Sequence, residues 1–259
     1  MSATSSLSSS STGSEIVHLS RALKAPRIKD AAGPLAERAR QENWTFETYL
    51  ARVLEEEVLG RETSGGQLRV RAARLPAVKT LDDFDFAFQR SVKKQVVLHL
   101  AQLDFLLEAK NVLFFGPPGT GKTHLSIALA VQAARRGHRV AFATAHQWVQ
   151  RLDAAQRAGR LDAELDKLRR IPLLICDEVG YVPFEPEAAA LFYALIASRY
   201  ERASLILSSN KPFSSWAEIF GDAVAVSAMV DRLVHHAEII NLKGDSYRLK
   251  HRKEATTTD

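Results

Sequence analysis

The sequence predicts an α/β protein in which a parallel five-stranded sheet flanked by helices follows a small all-helical N-terminal domain. From residue 111 onward, short apolar runs alternate with helical stretches, which is the pattern of a parallel sheet covered on both faces. Residues 15–74 instead have the spacing of short helices. We therefore expect a helical domain at 15–75 and a larger domain at 76–259, after a Ser-rich, disordered tail at 1–14.

The composition limits the classes of protein to which the chain can belong. The 259-residue chain is 46% apolar and 25% charged, as soluble globular proteins are, and no apolar run reaches the roughly 18–20 residues that span a bilayer. The single cysteine excludes an internal disulfide and a multi-cysteine metal site. We expect a cytoplasmic protein with no membrane partner. The net charge of +5 suits a polyanion such as nucleic acid without establishing one.

The N-terminal part contains one strong helical pattern, at residues 45–59, where apolar side chains recur at helical spacing and Thr45 is placed to cap the first turn. Pro26 and Pro34 are expected to divide the preceding segment into two pieces. Both features predict a small helical module.

A basic strip follows at residues 61–79, and Gly65 and Gly66 are expected to loosen its start. The strip is either a solvated linker or a surface that faces phosphates. Its basic residues are Arg61, Arg69, Arg71, Arg74 and Lys79. The next segment, 81–86, is acidic and aromatic, and its spacing alone assigns it no chemistry.

Five apolar runs are the candidate strands of the larger domain. They are residues 112–115, 140–143, 173–176, 205–207 and, as a possible fifth, 238–242.

Residues 116–123 match the phosphate-binding pattern G-x-x-x-x-G-K-[ST] at every position, between a predicted strand and a predicted helix. Glycines let backbone N–H groups converge on phosphate oxygens, and the helix N-terminus adds a partial positive charge. We expect an ATP site in which Lys122 reaches the β- and γ-phosphates and the Thr123 hydroxyl coordinates Mg²⁺. The predicted nucleotide-binding residues are Gly116, Pro117, Pro118, Gly119, Thr120, Gly121, Lys122, Thr123 and His124.

Polar residues end two of the candidate strands. After the run at 173–176, we expect Asp177 to hold the Mg²⁺ shell and Glu178 to polarise the attacking water as a general base. Asn210 follows another apolar strand and is expected to orient that water or contact the γ-phosphate; the alternative is an Asn that caps the next turn. Cys176 is expected to be a small buried residue.

The run at 140–143 lies between the phosphate loop and the acidic strand, and suggests a sheet in which another strand separates those two motif strands. Together with a Glu after the metal-binding Asp, this favours a P-loop NTPase of the oligomeric AAA+ type over small GTPases and simple kinases.

Several stretches resemble the IstB-like family, whose members are transposition helper ATPases of bacterial insertion sequences, related to the helicase loader DnaC and the initiator DnaA. The resemblance covers residues 16–253 and implies ATP-dependent assembly on double-stranded DNA, remodelling of that DNA and cooperation with a transposase. It also implies a homo-oligomer with ATP sites between subunits, and hydrolysis stimulated by assembly and DNA. Besides the phosphate loop and the acidic strand, the stretches are 23–27, 81–86, 199–202, 208–210, 212–216, 221–222, 231–236 and 244–250.

The resemblance further implies an arginine that completes the ATP site of a neighbouring subunit. Arg232 matches that position and Arg199 is the second candidate; the alternative for Arg232 is a helix-surface residue paired with Asp or Glu. His235 and His236 are expected to be surface polar residues rather than metal ligands.

Only 17 residues follow Leu242, too few for the helical lid domain of the broader AAA+ class. A sensing arginine normally lies on that lid, which leaves the role of Arg248 open. It can instead belong to a basic tail that lies against DNA, together with Lys250, His251, Arg252 and Lys253.

Other functions remain compatible with the sequence. A replicative helicase loader resembling DnaC would differ in its partner, and a scaffold that binds ATP but barely hydrolyses it would have little need for Glu178. A small-molecule kinase is disfavoured because no substrate-binding insertion is evident.

Overall fold

The computed structural model describes residues 4–249, and the chain divides into two compact units between Gly65 and Gly66. The units divide earlier in the chain than the domain boundary proposed from the sequence at residues 75 and 76. No helix within the described residues is both long and apolar enough to cross a membrane.

The first unit consists of helices α1 (Thr4–Ala22) and α2 (Pro26–Gln41) and the first part of α3 (Phe46–Ala72). Thr45 caps α3, since its Oγ1 accepts the backbone N–H of Thr48 at 3.2 Å. The buried carboxylate of Glu57 accepts the backbone N–H of Arg27 at 2.8 Å and Nε of Arg61 at 2.7 Å. The first of these bonds joins α2 to α3, whereas the second lies within α3 between residues one helical turn apart.

Three local expectations for this part of the chain are wrong. Residues 4–14 belong to α1 rather than to a disordered tail, since serine costs only a fraction of a kcal/mol in a helix; residues 1–3 lie outside the described part. Pro34 lies inside α2 and does not end it. Gly65 and Gly66 lie inside α3, because a glycine weakens a helix by about 1 kcal/mol without necessarily breaking it.

The second unit is built on a parallel sheet of five strands in the order β2-β3-β4-β1-β5. All five predicted runs are strands, and β4 separates β1 from β3 as expected, so the predicted fold class is confirmed. The strands are β1 (Asn111–Phe115), β2 (Val140–Thr144), β3 (Leu173–Val179), β4 (Ser204–Ser209) and β5 (Ala237–Asn241).

Helices cover both faces of this sheet. Ile206 faces a buried apolar layer that includes Leu125 of the helix after β1, whereas its neighbour Leu207 faces the opposite layer, which includes Trp148. The helices are α4 (Lys94–Leu100), α5 (Asp104–Leu107), α6 (Lys122–Arg135), α7 (Ala145–Arg157), α8 (Leu161–Arg169), α9 (Pro186–Arg199), α10 (Trp216–Phe220) and α11 (Ala223–Val234). Burial of apolar side chains on both faces holds the sheet in place. The polar motifs follow the carboxyl ends of its strands.

Candidate nucleotide-binding site

The phosphate loop joins the carboxyl end of β1 to the N-terminus of α6. Nζ of Lys122 donates to the carbonyl oxygens of Gly116 at 2.6 Å and Pro117 at 2.8 Å, so the ammonium lies inside the loop. Burial lowers the pKa of Lys122, Asp177 opposes that change, and the positive charge of Arg248 adds to it. The lysine is therefore placed as a buried cation at the centre of the predicted phosphate cradle.

The first turn of α6 is suited to an anion. Gly121 precedes the helix with φ +102° and offers no side chain to cap it. The first N–H groups of an α-helix have no partner within the helix, and they carry its partial positive charge. A phosphate in the loop would satisfy them.

Two oxygen ligands meet beside the loop. Oγ1 of Thr123 donates to Oδ1 of Asp177 at 3.1 Å, and Asp177 is buried. Hydroxyl and carboxylate oxygens are the ligands that Mg²⁺ prefers. The two side chains predicted to bind the metal are thus adjacent and chemically suited to it.

Glu178 lies in a β-bulge at the end of β3. Between the pairs Cys176–Leu207 and Val179–Ser209, β3 carries one residue more than β4, and Glu178 has φ +61°. A bulge turns a side chain away from the regular alternation of the strand, and a non-glycine residue at positive φ is strained. As a result, Asp177 is buried whereas the neighbouring Glu178 is exposed.

Ser208 is a site residue that the sequence analysis missed. Its hydroxyl donates to Oδ1 of Asp177 and accepts the backbone N–H of Glu178 at 3.1 Å. The available signal was a hydroxyl side chain directly after the apolar run at 205–207. Ser208 therefore links the carboxylate of Asp177, the predicted Mg²⁺ ligand, and the backbone of Glu178, the predicted general base, to the central strand.

Asn210 directly follows β4, whose last residue, Ser209, is level with Phe115 at the end of β1. Within the described residues, the buried Oδ1 of Asn210 has no hydrogen-bond partner. A buried polar atom without a partner is costly. Oδ1 of Asn210 therefore caps no turn within the described residues.

A second group of missed residues lines a cavity of about 490 Å³ against the loop. Phe84 of the acidic and aromatic segment packs edge-on against His124 at 5.3 Å between ring centroids. Nε2 of His124 donates to the carbonyl of Thr80 at 2.9 Å. Residues of distant segments complete the wall, namely Phe88, Gln89, Tyr247 and Arg248.

The two candidate trans-acting arginines differ in their surroundings. Arg199 is 1% exposed and donates to the carbonyls of Leu168, Ile171 and Ser204 at 2.6–2.9 Å. Burial lowers the pKa of Arg199 to about 10, so it stays charged at neutral pH. These bonds hold Arg199 inside its own chain, which corrects its place as second candidate.

Arg232 is half-buried on α11, with its guanidinium 5.3 Å from the ring centroid of Tyr193 and Nη1 donating to the carbonyl of Ala228 at 2.9 Å. It does not line the cavity of about 490 Å³ beside the loop. The structure therefore does not bring Arg232 to the site of its own chain. No ion pair of Arg232 with Asp or Glu is found among residues 4–249, in contrast to the alternative considered for it.

His235 and His236 are exposed, as predicted. Glu201 lies 3.6 Å and 3.9 Å from their ring nitrogens, and the hydroxyl of Tyr200 lies 2.8 Å from Nδ1 of His235. Of the predicted basic tail, Arg248 lines the cavity of about 490 Å³ beside the loop, and residues 250–253 lie outside the described part.

Solved structures share this fold at low sequence identity. AMPPCP-bound DnaA from Aquifex aeolicus matches with a TM-score of 0.56 at 22% identity, over 71% of this chain and 56% of that chain. A DnaC helicase loader matches with a TM-score of 0.52 at 20% identity, over 68% of this chain and 99% of that chain. Both likenesses show the P-loop fold of the AAA+ type and nothing beyond the fold.

Relatives found by sequence share more identical residues with this chain than those solved structures do. A Pseudomonas aeruginosa protein named for insertion sequence IS21 and ATP binding is 44% identical over 92% of this chain and 90% of its own length. A Geobacillus stearothermophilus protein named for insertion sequence IS5376 and ATP binding is 41% identical over 89% and 92%. The family described as IstB-like ATP binding protein matches residues 19–255. With nearly the whole chain matched, this protein belongs to the IstB-like family.

Proposed function

We propose that this chain is an ATP-hydrolysing, DNA-binding helper that assists a transposase, with hydrolysis acting as an assembly switch. The observation that carries the proposal is the exposed carboxylate of Glu178, set in a bulge next to the buried Asp177 and the phosphate loop. A protein that only binds nucleotide has little need for that second carboxylate. The relatives' names, which refer to insertion sequences and ATP binding, support the transposition setting.

Nucleotide binding follows from the loop. The backbone N–H groups of residues 119–123 and of the first turn of α6 would bind phosphate oxygens, and Lys122 would neutralise the β- and γ-phosphates. Bound Mg²⁺ would withdraw charge from the phosphates, and Thr123 and Asp177 are the residues that would hold it.

Hydrolysis requires a base and an oriented water. The carboxylate of Glu178 would take a proton from water as the water oxygen bonds to the γ-phosphorus. The bond from that phosphorus to the β–γ bridging oxygen then breaks, which yields ADP and phosphate. Oδ1 of Asn210, buried and without a partner among residues 4–249, would accept a hydrogen bond from the water, or the side-chain NH₂ would donate to the γ-phosphate.

Self-association would complete the site. Arg232 lies away from the phosphate loop of its own subunit and, as a neighbour's residue, would stabilise negative charge on the γ-phosphate. ATP bound between subunits would then couple nucleotide state to assembly.

The proposed DNA contact is a larger open groove of about 1500 Å³ along β2, which also borders Thr123, Asp177 and Glu178. We call it the β2 groove. Its wall carries six basic side chains against three carboxylates, and the basic side chains suit a phosphate backbone near the hydrolysis site. They include part of the predicted basic strip and are Arg69, Arg74, Arg139, Arg151, Arg160 and Lys167.

The proposal is tested by measuring phosphate release by the full chain with Mg²⁺ and ATP, with and without double-stranded DNA. Size-exclusion profiles are recorded under the same conditions. We expect DNA and ATP together to drive assembly and to raise turnover. A protein that stays monomeric and turns over ATP at the same rate with DNA would retain its nucleotide site but lose the DNA-remodelling function.

A further inference from the structure

Four polar side chains meet at the amino edge of the sheet, opposite the phosphate loop. Tyr200 and Glu201 lie in the turn between α9 and β4, and His235 and His236 lie between α11 and β5. The strands are parallel, so the residues before β4 and β5 lie at one edge of the sheet, whereas the loop after β1 lies at the other. We call these four residues the His–Glu cluster, and it is separate from the nucleotide site.

Three side chains of the His–Glu cluster place metal-ligating atoms close together. Oε1 of Glu201 lies 3.6 Å from Nδ1 of His235 and 3.9 Å from Nε2 of His236. The three ligand atoms lie within 4.8 Å of one another, and among residues 4–249 no other three His, Cys, Asp or Glu side chains are placed in this way. A tetrahedral zinc ion separates its N and O ligand atoms by about 3.4 Å. Small side-chain rotations would therefore bring all three atoms onto one ion.

Nδ1 of His235 is available as a ligand atom. The hydroxyl of Tyr200 lies 2.8 Å from this nitrogen. Burial and the neighbouring Glu201 raise the pKa of Tyr200, so the hydroxyl stays protonated at neutral pH and can donate to Nδ1. A ring nitrogen that accepts a hydrogen bond carries the lone pair that a metal ion needs.

A buried asparagine holds the two turns in place. Nδ2 of Asn111 donates to the carbonyl of Leu233 in α11 at 3.1 Å, and Oδ1 accepts the backbone N–H of Leu205 in β4 at 3.0 Å. The backbone N–H of Asn111 donates to the carbonyl of His236 at 2.8 Å. The backbone that carries the ligands is thus fixed before an ion binds, which reduces the entropy lost on binding.

We propose that His235, His236 and Glu201 form a binding site for a divalent transition metal ion, of which Zn²⁺ fits best. Two imidazoles and one carboxylate suit Zn²⁺, whereas Mg²⁺ prefers oxygen ligands alone. Because the side chains are exposed, water would fill the fourth position. Two adjacent histidines without further ligands are expected from the sequence to be surface residues, and the fold adds the carboxylate of Glu201 from a distant segment. A bound ion would join the turn before β4 to the end of α11.

The test is Zn²⁺ binding by the full chain without a polyhistidine tag, measured by equilibrium dialysis in the absence of nucleotide. We expect one tight site per chain, with a dissociation constant below about 10 µM, and a higher unfolding temperature with Zn²⁺ than without it. Excess Mg²⁺ should not displace the ion. His236→Ala and Glu201→Gln should each weaken binding about tenfold or more. His18→Ala and Glu187→Gln, at exposed residues elsewhere, are the matched controls.

Two results would overturn the inference. If His236→Ala and Glu201→Gln bind Zn²⁺ as tightly as the wild type, the ion is held elsewhere in the chain. If the wild type takes up no Zn²⁺ at concentrations tenfold above the expected dissociation constant, the cluster is only a contact between histidine and glutamate. Circular dichroism of the metal-free proteins shows whether each variant is folded. The inference does not depend on the proposed function, because no nucleotide or DNA enters the measurement.

Discussion

The hydroxyl of Ser208 donates a hydrogen bond to the carboxylate of Asp177, and both side chains are buried at the carboxyl ends of adjacent strands. The same carboxylate oxygen accepts the hydroxyl of Thr123 at 3.1 Å, and the Ser208 oxygen accepts the backbone N–H of Glu178. One serine on the central strand therefore bonds both the carboxylate of the proposed metal ligand, Asp177, and the backbone of the proposed general base, Glu178.

Replacing Ser208 by Ala should slow hydrolysis more than it weakens nucleotide binding. The change leaves Asp177 and the N–H of Glu178 each short of a partner, which costs about 1–3 kcal/mol of stability. Misplacing Glu178 should lower the rate of phosphate release by about ten- to a hundredfold. Ser198→Ala, which removes a hydroxyl bonded only within α9, is the control. Equal rates for the two variants would contradict the positioning role.

Arg199→Ala should destabilise the fold rather than act at a subunit interface. Its guanidinium donates to three backbone carbonyls from two separate segments, and its removal should cost about 3 kcal/mol or more in urea unfolding. Arg202→Ala, on the exposed turn nearby, should stay within about 0.5 kcal/mol of the wild type. A stable Arg199→Ala protein with normal assembly and no hydrolysis would restore Arg199 as the trans-acting residue.

Arg232 can be tested by mixing two inactive variants. Lys122→Ala lacks the loop lysine but keeps Arg232, whereas Arg232→Ala lacks the arginine but keeps the loop lysine. If Arg232 acts on a neighbour's ATP, co-assembled mixtures should recover part of the wild-type phosphate release, although each variant alone is inactive. Size-exclusion chromatography shows whether the mixture co-assembles. Co-assembly without recovered turnover would exclude action between subunits.

Charge reversal in the β2 groove tests the proposed DNA-binding surface. The double change Arg74→Glu and Arg160→Glu should weaken binding of double-stranded DNA irrespective of its sequence. It should also reduce the slope of log K against log salt by about 1 for each DNA phosphate that the protein no longer neutralises. Arg202→Glu changes an exposed arginine outside the groove and is the control. DNA affinity that falls equally in both proteins would assign the effect to overall charge instead.

The parts of the fold that the sequence predicts are local. Apolar runs mark all five strands, and the loop pattern from Gly116 to Thr123 identifies the strand-to-helix turn that the structure contains. Asp177 and Glu178 could be placed at a strand end because both directly follow one of these runs.

What the sequence does not reveal depends on interactions between distant segments. The bulge at Glu178 arises from pairing between β3 and β4, whose residues are about thirty positions apart, and only that register brings Ser208 to Asp177. Tyr247 bonds to Gly119 of the loop, although the two residues lie far apart in the sequence. The burial of Arg199 cannot be predicted from the sequence either, because its acceptors are backbone carbonyls, which every residue type carries.

The central claim is that Glu178 serves hydrolysis rather than nucleotide binding. Measuring the affinity for a non-hydrolysable ATP analogue and the rate of phosphate release on the same samples tests it most directly. For Glu178→Gln we expect affinity close to that of the wild type and a rate at least about a hundredfold lower, whereas Glu187→Gln, at an exposed residue of α9, should match the wild type in both. Phosphate release by Glu178→Gln at the wild-type rate would contradict the account.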